Sequence, residues 1–196
     1  TVSRRLASLR AVMRKARDEW GEPVEVPVIR TPGGRKRTRV FTEDEQALFV
    51  ATAKGLGLHH LADLFEFLCE TGLRLGEALS LGPESYVGAG GTCPNGLIRI
   101  RAEATKTARP REVPLTERAA DILCSRGYRF DQRSRSFYHQ RLLRVRREMN
   151  VGDDEDFVFH ACRHTFASRL LSKGAPLVAV SRLLGHTSIS MTADMY

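Results

Sequence analysis

His160 and Arg163 stand three positions apart in the stretch Phe159-His160-Ala161-Cys162-Arg163-His164-Thr165-Phe166. On a helix that spacing puts an imidazole and a guanidinium on one face, and at a helix start it also sets them beside backbone amides that attract an anion. The chemistry open to such a pair is anion binding next to a group that exchanges protons near neutral pH. Alone, the pattern fits better a surface His and Arg in a basic protein, so its context has to decide.

Three further segments supply that context. Glu70-Thr71-Gly72-Leu73-Arg74-Leu75-Gly76-Glu77 lies upstream, Ala104-Thr105-Lys106-Thr107 falls between two strand-like runs, and Leu184-Gly185-His186-Thr187 precedes Tyr196. In this order, and together with the His-x-x-Arg stretch, they resemble the tyrosine recombinase or phage integrase family from about Phe41 to Tyr196. The resemblance implies the tyrosine recombinase catalytic-domain fold and a site-specific DNA recombinase (integrase) that cleaves and rejoins strands through a 3′-phosphotyrosine intermediate.

Position by position, the resemblance makes Arg74 and Arg163 a clamp on the non-bridging oxygens of the scissile phosphate, a task suited to planar, always-charged guanidinium forks. It makes Lys106 the acid that protonates the departing 5′ oxygen, and Tyr196 the nucleophile. His160 and His186 take the two imidazole positions, the first accepting the tyrosine proton and the second donating to a phosphate oxygen. Glu77, three positions after Arg74, is expected to pair with that arginine and orient it.

Two positions depart from the family pattern. Ala161 stands where many relatives carry an acidic residue, and the step from His186 to Tyr196 is one position longer than in many of them. One helical residue turns a side chain by about 100°, so the tyrosine segment is expected to bend or unwind. Two rival readings remain. A type IB topoisomerase shares the Arg, Lys, His and Tyr chemistry, but the Leu-Gly-His element favours a recombinase. A DNA-binding module without activity would not need all six polar positions.

Around these groups the sequence outlines a mainly α domain with a small antiparallel β-sheet, an α+β class. Apolar residues at Val2, Leu6, Leu9, Met13, Ala16 and Trp20 make one helical stripe, and the prolines and glycines from Gly21 to Gly34 end it as a linker. A boundary is therefore expected there: residues 1–34 would hold the last helix of a core-binding domain and a linker, and residues 35–196 the catalytic domain. Because the sequence opens at Thr1, the chain is expected to be a fragment lacking most of that first domain and a C-terminal tail.

Within the second domain, Thr42 with Glu45 predicts a capping box, and a Leu- and Phe-rich helix from about Leu58 to Glu70 closes at Gly72, with a new helix from Arg74. Leu97 to Arg101 predicts a strand whose partner contains Val113 and Leu115. Helices are expected from Thr116 to Cys124, from about Ser136 to Met149, from His160 to Lys173 and after Pro176, with a last piece reaching Tyr196.

A net charge of +8 suits a phosphate-rich partner. The expected DNA contacts are Arg35, Lys36, Arg37 and Arg39 in the linker and Arg141, Arg144 and Arg147, with Arg146, on the basic helix; a solvated basic face is the plainer account of each group. The resemblance adds double-stranded DNA at a specific core site and further recombinase subunits in a synaptic tetramer as partners. The widely spaced Cys69, Cys93, Cys124 and Cys162 suit neither zinc nor a disulfide framework, and point to a reducing cytoplasm, which the resemblance makes that of a bacterial or phage-infected cell. No apolar run is long enough to span a bilayer. No cofactor or metal is expected.

Overall fold

The structure, a computed structural model, describes residues 2–28, 38–91, 93–101, 110–131 and 133–193, and the chain divides into two units, Thr1–Lys36 and Arg37–Tyr196. Among the described residues the first unit holds one helix, α1 (Val2–Glu19), the length its apolar periodicity predicts.

In the second unit the helices begin where the sequence supplies caps. The Thr42 hydroxyl accepts from the Glu45 amide at 3.1 Å and the Glu45 carboxylate accepts from the Thr42 amide at 2.9 Å, opening α2 (Glu43–Gly55) as the capping box predicts. Helix α3 (His59–Thr71) closes at Gly72, whose φ of 64° is left-handed. The short α4 (Leu75–Leu79) follows, then a 3-10 turn at Pro83–Ser85. Thr116 caps α5 (Glu117–Ser125) and Ser134 caps α6 (Arg135–Glu148). The remaining helices are α7 (Phe159–Ser172), α8 (Leu177–Leu184) and α9 (Ser190–Ala193).

The sheet has three strands in the order β1 (Tyr86–Val87), β2 (Leu97–Ile100) and β3 (Arg111–Pro114), all antiparallel. Ile98 faces Val113 across the ladder and both are fully buried, whereas the next pair, Arg99 and Glu112, forms an exposed ion pair. The expected two strands are thus present, without Arg101 and Leu115, and β1 is an addition. Two residues are too few to show a period-2 pattern in sequence.

The core of this unit lies between α2, α3 and α7. Phe49 stacks on Phe65 with ring centroids 3.8 Å apart, and Phe41 and Phe157 complete the cluster at 4.5 Å from each other. The Thr165 hydroxyl on α7 accepts from the Phe41 amide at 2.9 Å and donates to the Ala161 carbonyl at 2.8 Å, so the strand-like entry to α2 is tied to the helix that carries His160 and Arg163.

Two arginines expected on the DNA side have partners within the protein. Arg39 binds Asp154 through Nε at 3.0 Å and is also paired with Glu45, its guanidinium lying over Phe41. Arg146 is buried and donates to the Gly152 carbonyl at 2.6 Å. In both cases a basic residue meets partners far along the chain or beyond its helix end, which local charge patterning does not reveal. The four cysteines remain thiols, and among the described residues no helix is long and apolar enough to cross a membrane.

Candidate active site

The turn after α3 places the first arginine. Gly72 reverses the chain, and Arg74 follows in extended conformation as the residue that caps α4. Its amide donates to Glu77 Oε2 at 2.8 Å and its guanidinium Nη1 to Oε1 at 2.9 Å, the pairing expected from their spacing. A second arginine reaches the same carboxylate from β3: Arg111 Nη2 lies 2.6 Å from Oε2 and Nη1 3.2 Å from Oε1. Burial alone would raise the Glu77 pKa. The bonds and charge of Arg111, with those from Arg74, outweigh it and hold the carboxyl below its ordinary range. Glu77 is therefore an anion in the interior, and it fixes two cations.

Arg163 comes from the second turn of α7 and is buried. Its Nη1 donates to the Gly72 carbonyl at 2.9 Å and its Nη2 to the Leu184 carbonyl, so it joins the end of α3 to the end of α8. Two of the five guanidinium donors go to these carbonyls. One turn of chain separates Arg163 from His160, which is exposed, and whose ring meets that of His164 edge to face at 5.0 Å.

Arg74, Glu77, His160 and Arg163 line one pocket of about 340 Å³ together with Leu73, Gly76, Phe159, Arg135 and His139. The start of α7, which has no side-chain cap, forms part of its wall. Three arginines and a helix N-terminus give the pocket a positive field suited to an anion with several oxygens. Arg135 and His139, one turn apart on α6, are additions to the expected set. Arg135 lies so close to Gly76 that a Cβ there would fall 2.1 Å from its Nη2, so the bare backbone of Gly76 is what admits it. Their i, i+4 spacing was the available signal, but without a partner surface it reads as helix exterior.

His186 does not line this pocket, but it follows a second left-handed glycine and lies within reach of the charges of Arg163 and Arg74. Gly185, at φ 66°, ends α8 and turns the chain, and the His186 Nδ1 then lies 2.7 Å from the Thr192 hydroxyl. Burial, followed by the nearby charges of Arg163 and Arg74, pushes its pKa down to about 4. The ring is neutral at pH 7; its Nδ1 either accepts from the Thr192 hydroxyl, with the ring proton on Nε2, or donates to it. His164 is likewise lowered, by burial and by Arg163.

Lys106 and Tyr196, and the linker residues Arg35, Lys36 and Arg37, lie outside the described residues. On α6, Arg144 and Arg147 are exposed, while the Arg141 guanidinium covers the Phe137 ring at 3.4 Å. None of these three lines the pocket. Among the described residues no cluster of three or more His, Cys, Asp or Glu could hold a metal ion.

The model of the phage integrase family matches residues 39–196, a span that contains every element of this pocket. The chain belongs to the phage integrase family. Among its relatives are the integrase of Escherichia phage P2, 28% identical over 81% of this chain and 42% of the phage protein, and the tyrosine recombinase XerC of Rhizobium meliloti, 29% identical over 98% of this chain and 64% of that protein. This phage integrase family chain thus spans 42% and 64% of the length of these two relatives. In fold it is similar to the Tn1549 transposon integrase solved with a circular intermediate DNA, with a TM-score of 0.72 and 17% identity over the whole of this chain and 74% of that one.

Proposed function

We propose that this chain is the strand-cleaving and rejoining domain of a site-specific DNA recombinase. The observation that carries the reading is the convergence of Arg74, Arg163 and His160 on one pocket, with Glu77 holding Arg74 in place. The Tyr196 oxygen attacks the phosphorus, giving up its proton to His160. The bond from phosphorus to the 5′ oxygen breaks, and that oxygen takes a proton from Lys106. A 3′-phosphotyrosine remains, and attack by a 5′ hydroxyl reverses the steps. Arg74 and Arg163 hold the non-bridging oxygens and stabilise the charge of the pentavalent transition state, while neutral His186 donates a hydrogen bond to it.

Double-stranded DNA at a specific core site is the substrate, and further subunits complete a synaptic tetramer on DNA in the cytoplasm. Residues 1–34 are the end of a core-binding domain and its linker. Arg35, Lys36, Arg37, Arg141, Arg144 and Arg147 contact the DNA around the cleaved phosphate. The test is a nicked suicide substrate carrying the target site. A covalent protein–DNA adduct stable to denaturation supports the reading, and DNA bound without any adduct overturns it.

A further inference from the structure

Arg111 belongs to none of the sequence motifs that mark the pocket, yet it occupies a junction between them. Its side chain is only 6% exposed. Nη2 and Nη1 face the two oxygens of Glu77 at 2.6 and 3.2 Å, and Nε donates to the Leu183 carbonyl at 2.8 Å. That carbonyl is one of the last four of α8, which have no partner within their own helix. Arg163 takes the next one, Leu184, so two arginines cap the helix from which the chain turns to His186. A Cβ at Gly185 would come 3.0 Å from the Cδ and Nη1 of Arg111, so the guanidinium lies directly against that turn.

Three lines therefore meet in one side chain. Through Glu77 it reaches Arg74 at the start of α4. Through Leu183 and Gly185 it reaches the turn before His186. Along its own backbone it opens β3, and residues 102–109, which include Lys106, connect β2 to it. We propose that Arg111 is a positioning residue for phosphoryl transfer, holding the Arg74 clamp and the His186 turn in register with the strand that follows Lys106. The proposal rests on the recombinase reading of the pocket. Only arginine suits the place: its fork presents Nη atoms to a carboxylate and Nε to a carbonyl in another direction, whereas lysine supplies a single point charge.

A residue that merely stabilised the fold would lower the melting temperature and leave the rate of the folded fraction alone. Single-turnover cleavage of the suicide substrate by the whole chain separates the two roles when DNA affinity and melting are measured beside it. Arg111→Lys is expected to cleave roughly 10-fold slower and Arg111→Met roughly 100-fold slower, the scale of a misplacement of about 1 Å, with DNA affinity within about 3-fold of the unaltered chain. Because both act through one network, Arg111→Met combined with Glu77→Gln should be no slower than the slower single variant.

An unaltered rate in Arg111→Lys overturns the proposal, as do losses that multiply in the double variant or vanish at equal distance below each melting midpoint. Should Arg111→Met fail to fold, the folded Arg111→Lys decides on its rate alone. Adduct formation by the unaltered chain with full activity of Arg111→Lys refutes this inference and spares the recombinase reading; no adduct from the unaltered chain refutes both.

Discussion

A carboxylate buried between two guanidiniums, as Glu77 is between Arg74 and Arg111, lets like charges stand close together before any anion arrives. Removing it leaves uncompensated cations in the interior, the costly half of a broken buried ion pair. Glu77→Gln is expected to slow cleavage by roughly 100-fold, comparable to loss of a preorganised donor, and a single-turnover assay within 3-fold of the normal rate would show that Arg74 orients without it. His186 gives a pH prediction. Its ordinary pKa of 6.5 falls to about 4 in the folded protein, so between these values the unfolded chain binds the extra proton and the folded one does not. Stability is full above pH 6.5 and is lost as pH falls toward 4. The lowered His164 acts in the same direction, and Glu77 extends the loss below its ordinary value of 4.5. Melting followed across this range should show the decline, and His186→Asn should flatten part of it; a melting temperature independent of pH in the unaltered chain contradicts a neutral, half-buried ring.

At the scale of elements, turns do the positioning. Gly72 delivers Arg74 after α3, and Gly185 delivers His186 after α8, both in left-handed conformation. Gly185→Ala meets an unfavourable φ of 66° and the Arg111 guanidinium at 3.0 Å. It is expected to lose about 1–2 kcal/mol of stability and to slow cleavage as well, whereas Thr42→Ala, which removes the α2 cap, should lose about 1 kcal/mol and leave the rate of the folded protein alone. Chemical denaturation and cleavage measured together separate the two, and a normal cleavage rate in Gly185→Ala contradicts the role of the turn. The Gly72 turn was legible in sequence because glycine and caps act locally, as did Thr42 with Glu45 and Arg74 with Glu77, whereas Gly185 stood there only as part of the Leu-Gly-His element. What was not legible depends on distant chain. Strand β1 exists only by pairing with β2, Arg111 meets Leu183 across 72 positions, and Arg39 meets Asp154 across 115. Arg39, Arg111 and Arg146 look in sequence like any other basic residue of this chain, and only packing sorts those that hold the protein together from Arg144 and Arg147, which remain exposed.

For the whole molecule the net charge of +8 fixes the kind of partner more than its identity. Binding that rests on phosphate contacts should weaken linearly in the logarithm of salt, and removal of one contact, as in Arg144→Ala, should reduce the slope by about 1. A slope unchanged in Arg144→Ala takes that residue out of the DNA interface. Fixed cations at Arg74, Lys106 and Arg163 would do the neutralising that metals do at other phosphoryl-transfer sites, so cleavage is expected to continue in excess chelator. Activity abolished by chelation and restored by magnesium would require a different site. The nucleophile is identified by trapping the suicide substrate, digesting the adduct and finding the peptide that carries the DNA. A nucleotide 3′-phosphate is expected on Tyr196, with no adduct but near-normal DNA affinity in Tyr196→Phe; an adduct on another residue, or one undiminished in Tyr196→Phe, would rule out Tyr196 as the nucleophile.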